Sequence, residues 1–589
     1  MCEHRQGIRI PESVGGIQVN HCKNPLCLNF GRPASSERQP RGANSSGRNR
    51  DAYTLKGDKG GTPKLLCNLC SEKLPVKSNL AISEELQRLS EYMNPAPETT
   101  CPEITCQNHT IGVTTPKAYQ SFGTTTAGAN RYRCRACGKT FSVNSDPTSR
   151  QRLVGKNEEI FRFLVNKVPL KRMSELADVA MGTLYRKINF IHRQCLAFAA
   201  KQELRLPDLH IDRLYLSVDR QIHIVNWKHA GEKRNIILNA LGTADNKSSY
   251  IFGIHVNYDP SLNAGQVEQD AVINGDDLLS PPFRRYARVW LQQDYTNAIG
   301  KNNRKRSASK YLRDRIQNEY DNSSSREDVE ESEIQTLETG LPCEGVQIHS
   351  EYTMYGHFLF LKHLLRNVGK LRFFMDQESG IRAACLSGFW QEVLEKRCEA
   401  FYVRINKDLT VGQKRRLTAK SKKELSDFRA SSAAYKELTD HDLRHFVIKE
   451  HLEELVDIGD WNDRWLFYPF PDMSEPEKAI CWLTDLQDRA YDDDHLAWLY
   501  SKGTLHGIDR FFMQARRRLS LLERPISSAS SEGRKWHGYS PYNPAMVGKA
   551  LDIFRVFYNF VEVGKDKKTP AMRLGLTIAP VSINDIVSQ

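Results

Sequence analysis

The sequence predicts a multidomain chain: two small metal-stapled units, a block of short helices, and a larger α/β domain carrying long insertions. Three observations carry this expectation. Eight of the 14 cysteines fall in four close pairs that repeat one spacing pattern twice. The apolar period is helical over 156–195 and gives way to strand-like runs from Leu214. A chain of 589 residues also exceeds what one hydrophobic core serves, so several folding units are expected.

The cysteine-bearing units come first. Cys22-x4-Cys27 precedes Cys67-x2-Cys70, and Cys101-x4-Cys106 precedes Cys134-x2-Cys137. Two thiolate pairs on tight turns give four soft ligands that converge tetrahedrally on Zn2+, so two structural zinc sites are expected. Eight buried thiols without metal is the alternative, and the repetition of both spacings argues against it. Gly138 allows a tight turn behind the last pair, and Arg131, Arg133, Arg135 and Lys139 give that knuckle a positive rim suited to phosphates. The first unit, 1–95, includes a Ser-, Arg-, Gly- and Asn-rich span from Ala34 to Asp51, read as a basic loop. It ends in an amphipathic helix over Ala81–Met93 that links it to the second unit, 96–146.

Residues 150–200 change character. Glu158–Val165 has helical spacing, Leu170–Ala177 follows Pro169, and a third helix opens at Thr183 after a turn over Val179–Gly182. The order resembles a helix-turn-helix, whose second element enters the major groove. Thr183, Tyr185, Arg186 and Lys187 are then the candidate groove-facing residues. Three helices packed as a spacer is the other reading.

Three strands come next, Leu214–Asp219, Asn235–Gly242 and Tyr250–Val256, and predict an antiparallel meander. The span from Asp259 to Leu341 reads as an irregular insertion, about 260–345. It holds a basic patch (Lys301, Arg304, Lys305, Arg306) and a Ser- and Glu-rich stretch from Asn322 to Glu338. Tyr355–Val368 is expected to be an amphipathic helix and Leu371–Asp376 a strand. Asp219 and Asp376 thus each close an apolar strand, where two carboxylates can share divalent ions. Turn formation is the ordinary alternative. Phe389–Leu499 reads as mostly helical, an insertion of about 393–500 in which Trp461 and Trp465 are core residues rather than base-stacking platforms. Asp509 opens a helix that continues into Arg516, Arg517 and Arg518, a carboxylate beside phosphate-binding cations.

A net charge of +13 points to polyanionic partners. No apolar run approaches the length of a membrane span, and the N-terminus lacks a signal peptide's apolar core, so a reducing cytoplasm is the expected compartment.

The knuckle RYRCRACGKTF, the helix-turn-helix pattern, Phe374-Met375-Asp376 and Gly507-Ile508-Asp509-Arg510-Phe511 before an Arg-rich helix together resemble the insertion sequence 1 type transposases of bacteria. Tyr542–Met546, Phe557–Phe560 and Lys568–Ala571 resemble C-terminal segments of DDE transposases and integrases. The resemblance covers the second cysteine unit onward. It implies that a zinc ribbon and a helix-turn-helix bind the ends of the element, with Arg133, Arg135 and Lys139 and later Arg516 and Arg517 on the DNA. It further implies an RNase H-like domain over 205–589 whose acidic triad is Asp219, Asp376 and Asp509, holding Mg2+ or Mn2+. That family usually has Glu in third place; Asp is shorter by a methylene. The expected activity is metal-dependent strand cleavage and strand transfer on double-stranded DNA, element ends and target alike. A homo-oligomer at the bacterial nucleoid and no membrane contact are expected with it. The alternative is a zinc-dependent DNA-binding regulator derived from a transposase and catalytically inactive.

Overall fold

The computed structural model describes residues 9–37, 51–57, 61–94, 98–126, 128–143, 147–148, 151–226, 234–299, 311–325, 335–337, 339–459, 463–485, 491–524 and 538–588. It is a multidomain α/β architecture with two four-cysteine clusters and a mixed sheet. The chain forms two compact units. One comprises Met1–Leu89, Pro207–Arg516 and Leu522–Gly548; the other comprises Ser90–Leu206, Arg517–Leu521 and Lys549–Gln589. Both units draw residues from the expected block 205–589. Among the described residues no helix is long and apolar enough to cross a membrane.

The first unit begins with a three-stranded antiparallel sheet, β1 (Tyr53–Lys56), β2 (Lys64–Cys67) and β3 (Lys73–Pro75). Its core is little more than Ile10, Tyr53, Leu65, Leu74, Val76 and the cysteines, too small to hold a fold without a staple. Helix α1 (Asn79–Ser90) comes after it. It is no free linker: Glu85, fully buried, accepts from Arg88, Arg288 and Thr353, which fixes the helix within this unit.

In the second unit β4 (Tyr119–Thr124), β5 (Asn130–Cys134) and β6 (Thr140–Val143) repeat the three-stranded pattern. Three helices come next, α2 (Lys156–Leu164), α3 (Leu170–Leu176) and α4 (Met181–Glu203). Glu158 and Glu159 in the first turn of α2 suit its dipole. On α4 the buried positions Leu184, Ile188, Ile191, Cys195 and Phe198 recur at three and four residues, a single apolar stripe turned to α2 and α3.

The chain then builds the large sheet of the first unit. β7 (Arg213–Val225), β8 (Ile236–Asp245) and β9 (Ile251–Val256) form the expected antiparallel meander. Asp219 was expected to close its strand; it sits inside it instead, because pairing with β8 continues to Val225↔Ile236. A short pair, β10 (Tyr258–Asp259) with β11 (Val346–Gln347), brackets the region read as irregular. That region contains α5 (Ala264–Ile273), α6 (Gln292–Ile299) and α7 (Leu312–Ser325). α5 and α6 bury few apolar residues (Val267 and Ala271; Tyr295), which gives them little periodic signal, whereas α7 buries Leu312, Ile316 and Tyr320 at helical spacing. The basic patch at Lys301–Arg306, most of the 322–338 stretch and of the loop at 34–51, and Trp461 lie outside the described residues.

α8 (Ser350–Leu364) leads to β12 (Lys370–Asp376), then α9 (Ser379–Gly388), α10 (Trp390–Leu394) and β13 (Cys398–Ile405). The stretch expected to be mostly helical continues with α11 (Val411–Ser431) and α12 (Asp440–His451), but also with β14 (Val456–Ile458), β15 (Asp463–Phe467) and β16 (Lys478–Trp482). β13 and β16 are buried on both faces, so they show no alternation to mark them as strands. Trp465 is a core residue as expected, fully buried, but on a strand. α13 (Asp493–Ser501) and α14 (His506–Arg518) complete the region. The sheet order is β14-β15-β16-β13-β12-β7-β8-β9, with β12 parallel to β7 and β13 and every other pair antiparallel.

The chain ends with α15 (Ala545–Val556), α16 (Pro570–Leu574) and α17 (Ile583–Val587). Within the second unit Phe198 of α4 meets Phe560 edge to face at 4.9 Å, and buried Glu203 pairs with Arg555. These contacts close the helical block around α4.

Helix α14 is seated on the sheet at close range. The Ile508 N–H donates to Ser217 Oγ and the Gly507 N–H to Asn246 Oδ1, both at 3.1 Å. A Cβ at Gly507 would stand 2.6 Å from that oxygen and 2.8 Å from Ser217 Oγ. Gly507→Ala is therefore expected to destabilise the protein by about 1–3 kcal/mol through overpacking. Thermal unfolding checks this beside Gly548→Ala, where no atom lies within 4 Å and no loss is expected.

Candidate functional site

The eight paired cysteines converge as their spacing predicts. Cys22, Cys27, Cys67 and Cys70 form one group and Cys101, Cys106, Cys134 and Cys137 the other, with the sulfurs of each group within 4.8 Å of one another. Cys22 Sγ lies 3.5 Å from Cys70 Sγ and Cys27 Sγ 3.6 Å from Cys67 Sγ; the second group gives 3.4 Å for Cys101–Cys137 and 3.7 Å for Cys106–Cys134. A tetrahedron with metal–sulfur bonds of about 2.3 Å has edges of about 3.8 Å, so either group could hold zinc.

The duplication extends beyond the sulfurs. Asn29 and Asn108, each two residues after the second cysteine, donate a backbone N–H to that cysteine at 3.4 Å. Their side-chain amides reach the first sulfur of the distal pair, Cys67 at 3.4 Å and Cys134 at 3.3 Å. Tyr53 and Tyr119 stand opposite Cys67 and Cys134 on neighbouring strands. Each phenol accepts from the backbone N–H of the first cysteine (2.7 and 2.9 Å) and donates to the carbonyl of the asparagine (3.0 and 2.7 Å). N–H···S bonds spread the negative charge of a tetrathiolate, and the tyrosine ties the two halves of the ligand set together. Sequence reading missed these four residues. Superposing the two cysteine patterns would have revealed the asparagines, since both read C-x-N.

The surroundings of the two groups differ. In the first, Glu72 accepts from the Lys23 N–H at 2.9 Å and pairs with Arg382 of α9 at 3.2 Å, while Lys77 pairs with Glu351 of α8 at 2.9 Å. This cysteine unit is thus part of the packing of the large sheet. In the second, Cys137 is exposed and Arg133 and Arg135 are exposed on the rim, while Lys139 is paired with Glu103 at 2.8 Å.

The three candidate acids come together in the first unit. Met375 pairs with Val218 in parallel register, so the next step along β12 and β7 sets Asp376 beside Asp219. The seating of α14 brings Asp509 to the same place. Lys407, just past β13, lies 3.2 Å from Asp219 Oδ2 and 3.2 Å from Asp509 Oδ1. Burial, then Asp509, push the Asp219 carboxyl up to about 6 against the pull of Lys407. Burial, then Asp219, raise Asp376. Burial draws the Lys407 ammonium down, but Asp219, Asp376 and Asp509 outweigh it and hold it above the ordinary lysine range. Asp219 Oδ1 also accepts the Arg220 N–H at 2.7 Å, and Arg220 pairs with Glu378 at 3.2 Å. Among the described residues Glu378 Oε1 is buried without a hydrogen-bond partner. Lys407, Arg220, Arg404 and Glu378 carried no sequence signal, because folding alone brings them to the acids. Among the described residues, the two cysteine groups are the sets of three or more ligand atoms that all lie within 4.8 Å; the acids are spread around the Lys407 ammonium.

The candidate DNA-contacting residues divide. On α4 Tyr185 and Arg186 are exposed and Thr183 is half-buried. Lys187 is a correction: it is 6% exposed, and its ammonium donates to Gln151 and to the carbonyls of Arg152 and Leu153. It falls on the inner side of α4, beside the apolar stripe, and caps a turn. Arg517 is exposed, whereas Arg516 is half-buried, its charge opposed by burial and Arg524 and favoured by Asp509 and Asp219.

Two outcomes test this site. Asn29→Ala and Asn108→Ala should each weaken zinc at its own cysteine group by about 10–100-fold, read by competition with a chromophoric chelator. Because the folded Asp219 carboxyl titrates near 6, above its unfolded value, its contribution to stability is full below about pH 4 and lost as pH rises through 6. In buffer without added divalent ions, Asp219→Asn should therefore be more stable than wild type at pH 7.5, with the gap narrowing towards pH 5 in thermal unfolding. Comparison with family models finds none that matches the chain, and no curated protein matches it, so its function is read from this geometry.

Proposed function

We propose that the chain is a DDE-type DNA transposase, with an RNase H-like catalytic domain and a helix-turn-helix. The carrying observation is the juxtaposition of Asp219 and Asp376 on adjacent parallel strands with Asp509 delivered by α14. The sheet supports the reading: a three-stranded antiparallel meander, then β12 and β13 added in parallel on the far side of β7, which places both strand acids at its centre.

An all-oxygen donor set suits a hard divalent cation, so Asp219, Asp376 and Asp509 would hold Mg2+ or Mn2+. Bound there, the metal supplies Lewis acidity and an activated oxygen nucleophile for phosphoryl transfer. The remaining work falls to the chain's cations. Arg220, Arg404, Lys407 and Arg516 surround the acids and attract the phosphodiester that the carboxylates alone would repel. The Lys407 side chain, half exposed, can turn from the acids to that phosphate. The two cysteine groups would be structural zinc sites, and the exposed edge of the second would join α4 on double-stranded DNA at the element's ends. A homo-oligomer acting at the bacterial nucleoid belongs to the same proposal.

A second reading, a catalytically inactive DNA-binding regulator, is favoured by Lys407, whose ammonium already bridges two of the three acids. Strand cleavage separates the two. Wild-type protein with Mn2+ should nick DNA flanking its own coding sequence, and Asp376→Asn should cut that rate by more than about 100-fold, beyond the effect of losing a supporting group around a metal. Sequence-selective binding with no nicking by either protein would favour the regulator.

A further inference from the structure

Within the second unit a cleft of about 1050 Å³ opens between the turn at 151–153, the outer face of α4 and Lys549 of α15. Arg152, Arg186, Arg193 and Lys549 line it, and no carboxylate is among its described lining residues. The nearby acid on α15, Asp552, is engaged by His192 Nε2 at 2.8 Å. Lys187 builds the wall by binding the carbonyls of Arg152 and Leu153, and Asn189 Oδ1 orients the Lys549 ammonium at 2.7 Å. A concave surface with several cations and no acid selects a polyanion.

The spacing and the side chains narrow the partner. Arg186, Asn189 and Arg193 lie three and seven residues apart on one face of α4, spanning about 10 Å of helix. A duplex presents about six phosphate charges over that length. The apolar ring in the lining, Phe190, is buried, and the His192 ring is tied to Asp552, so the cleft offers no platform on which unpaired bases could stack.

We propose that this cleft is a phosphate site for the backbone of duplex DNA, in which Arg193 of α4 and Lys549 of α15 each neutralise a phosphate. It overlaps the start of α4 at Thr183 and Arg186, where sequence pattern places base reading, and extends along the helix to Arg193 and to Lys549 from the far end of the chain. The proposal rests on the reading of the protein as DNA-binding and adds where the backbone is held.

The test uses the full chain and the anisotropy of a labelled duplex of arbitrary sequence, titrated at several salt concentrations. Arg193→Ala and Lys549→Ala should each weaken binding equally across sequences and lower the slope of log affinity against log salt by about 1. Arg193→Lys should restore the slope, which separates charge loss from misfolding. Lys201→Ala, exposed on the last turn of α4 outside the cleft, should leave it unchanged. Duplex binding with an unchanged slope in the double alanine variant would overturn the phosphate site while leaving DNA binding intact. A loss confined to single-stranded DNA would overturn the duplex assignment. Absence of duplex binding by wild type at low salt would overturn the DNA reading itself, and this site with it.

Discussion

The parallel pairing of β7 with β12 is the constraint on which the acidic site depends. Backbone hydrogen bonding fixes the register residue by residue, and a slip of one would turn one aspartate to the opposite face of the sheet. The same strand anchors α14 through Ser217, so the strand that presents the first acid also positions the third. Gly507 and Gly242 make the approach possible. Gly242 lies opposite Asp219 on β8, and a Cβ there would stand 2.6 Å from Ile508 Cδ1. Three carboxylates from distant parts of the sequence are thus brought together by one strand and two positions without side chains.

That concentration of negative charge is unfavourable by itself, and the surrounding charges are arranged against it. Burial raises the carboxyls of Asp219 and Asp376, and each feels another acid. Lys407 offsets much of this repulsion, and Arg516 adds a second positive group from two turns further along α14. Acids held between protonation and a lysine ammonium form a chemically responsive site.

The cysteine units solve a different problem. Each three-stranded sheet has a small apolar core, and a metal held by the four cysteines would add the cohesion it lacks. The Asn and Tyr partners recur in the same geometry in both, so the motif is a larger unit than its cysteines. Its two copies serve different surroundings. The first group is tied by Glu72 and Lys77 into the helices that flank β12, whereas the second leaves a basic edge exposed.

Features with a local signal were legible in the amino-acid order. The cysteine spacings marked both ligand sets, the β7–β9 runs marked the meander, and the apolar stripe marked α4, because turns, pleats and helical faces repeat over a few residues. Asp219, Asp376 and Asp509 were legible as residues from their expected places at strand ends and a helix start and as a triad through resemblance, but their convergence was not, since register between distant strands leaves no local trace. Only the folded chain shows that Asp219 lies within a strand, that Lys187 turns inward, and that β13–β16 extend the sheet where charge and length suggested helices. Folding likewise sets Lys407 among the acids and brings Lys549 to α4. Each of these depends on which surfaces meet, and burial on both faces or pairing across hundreds of residues erases the periodicity from which a sequence can be read.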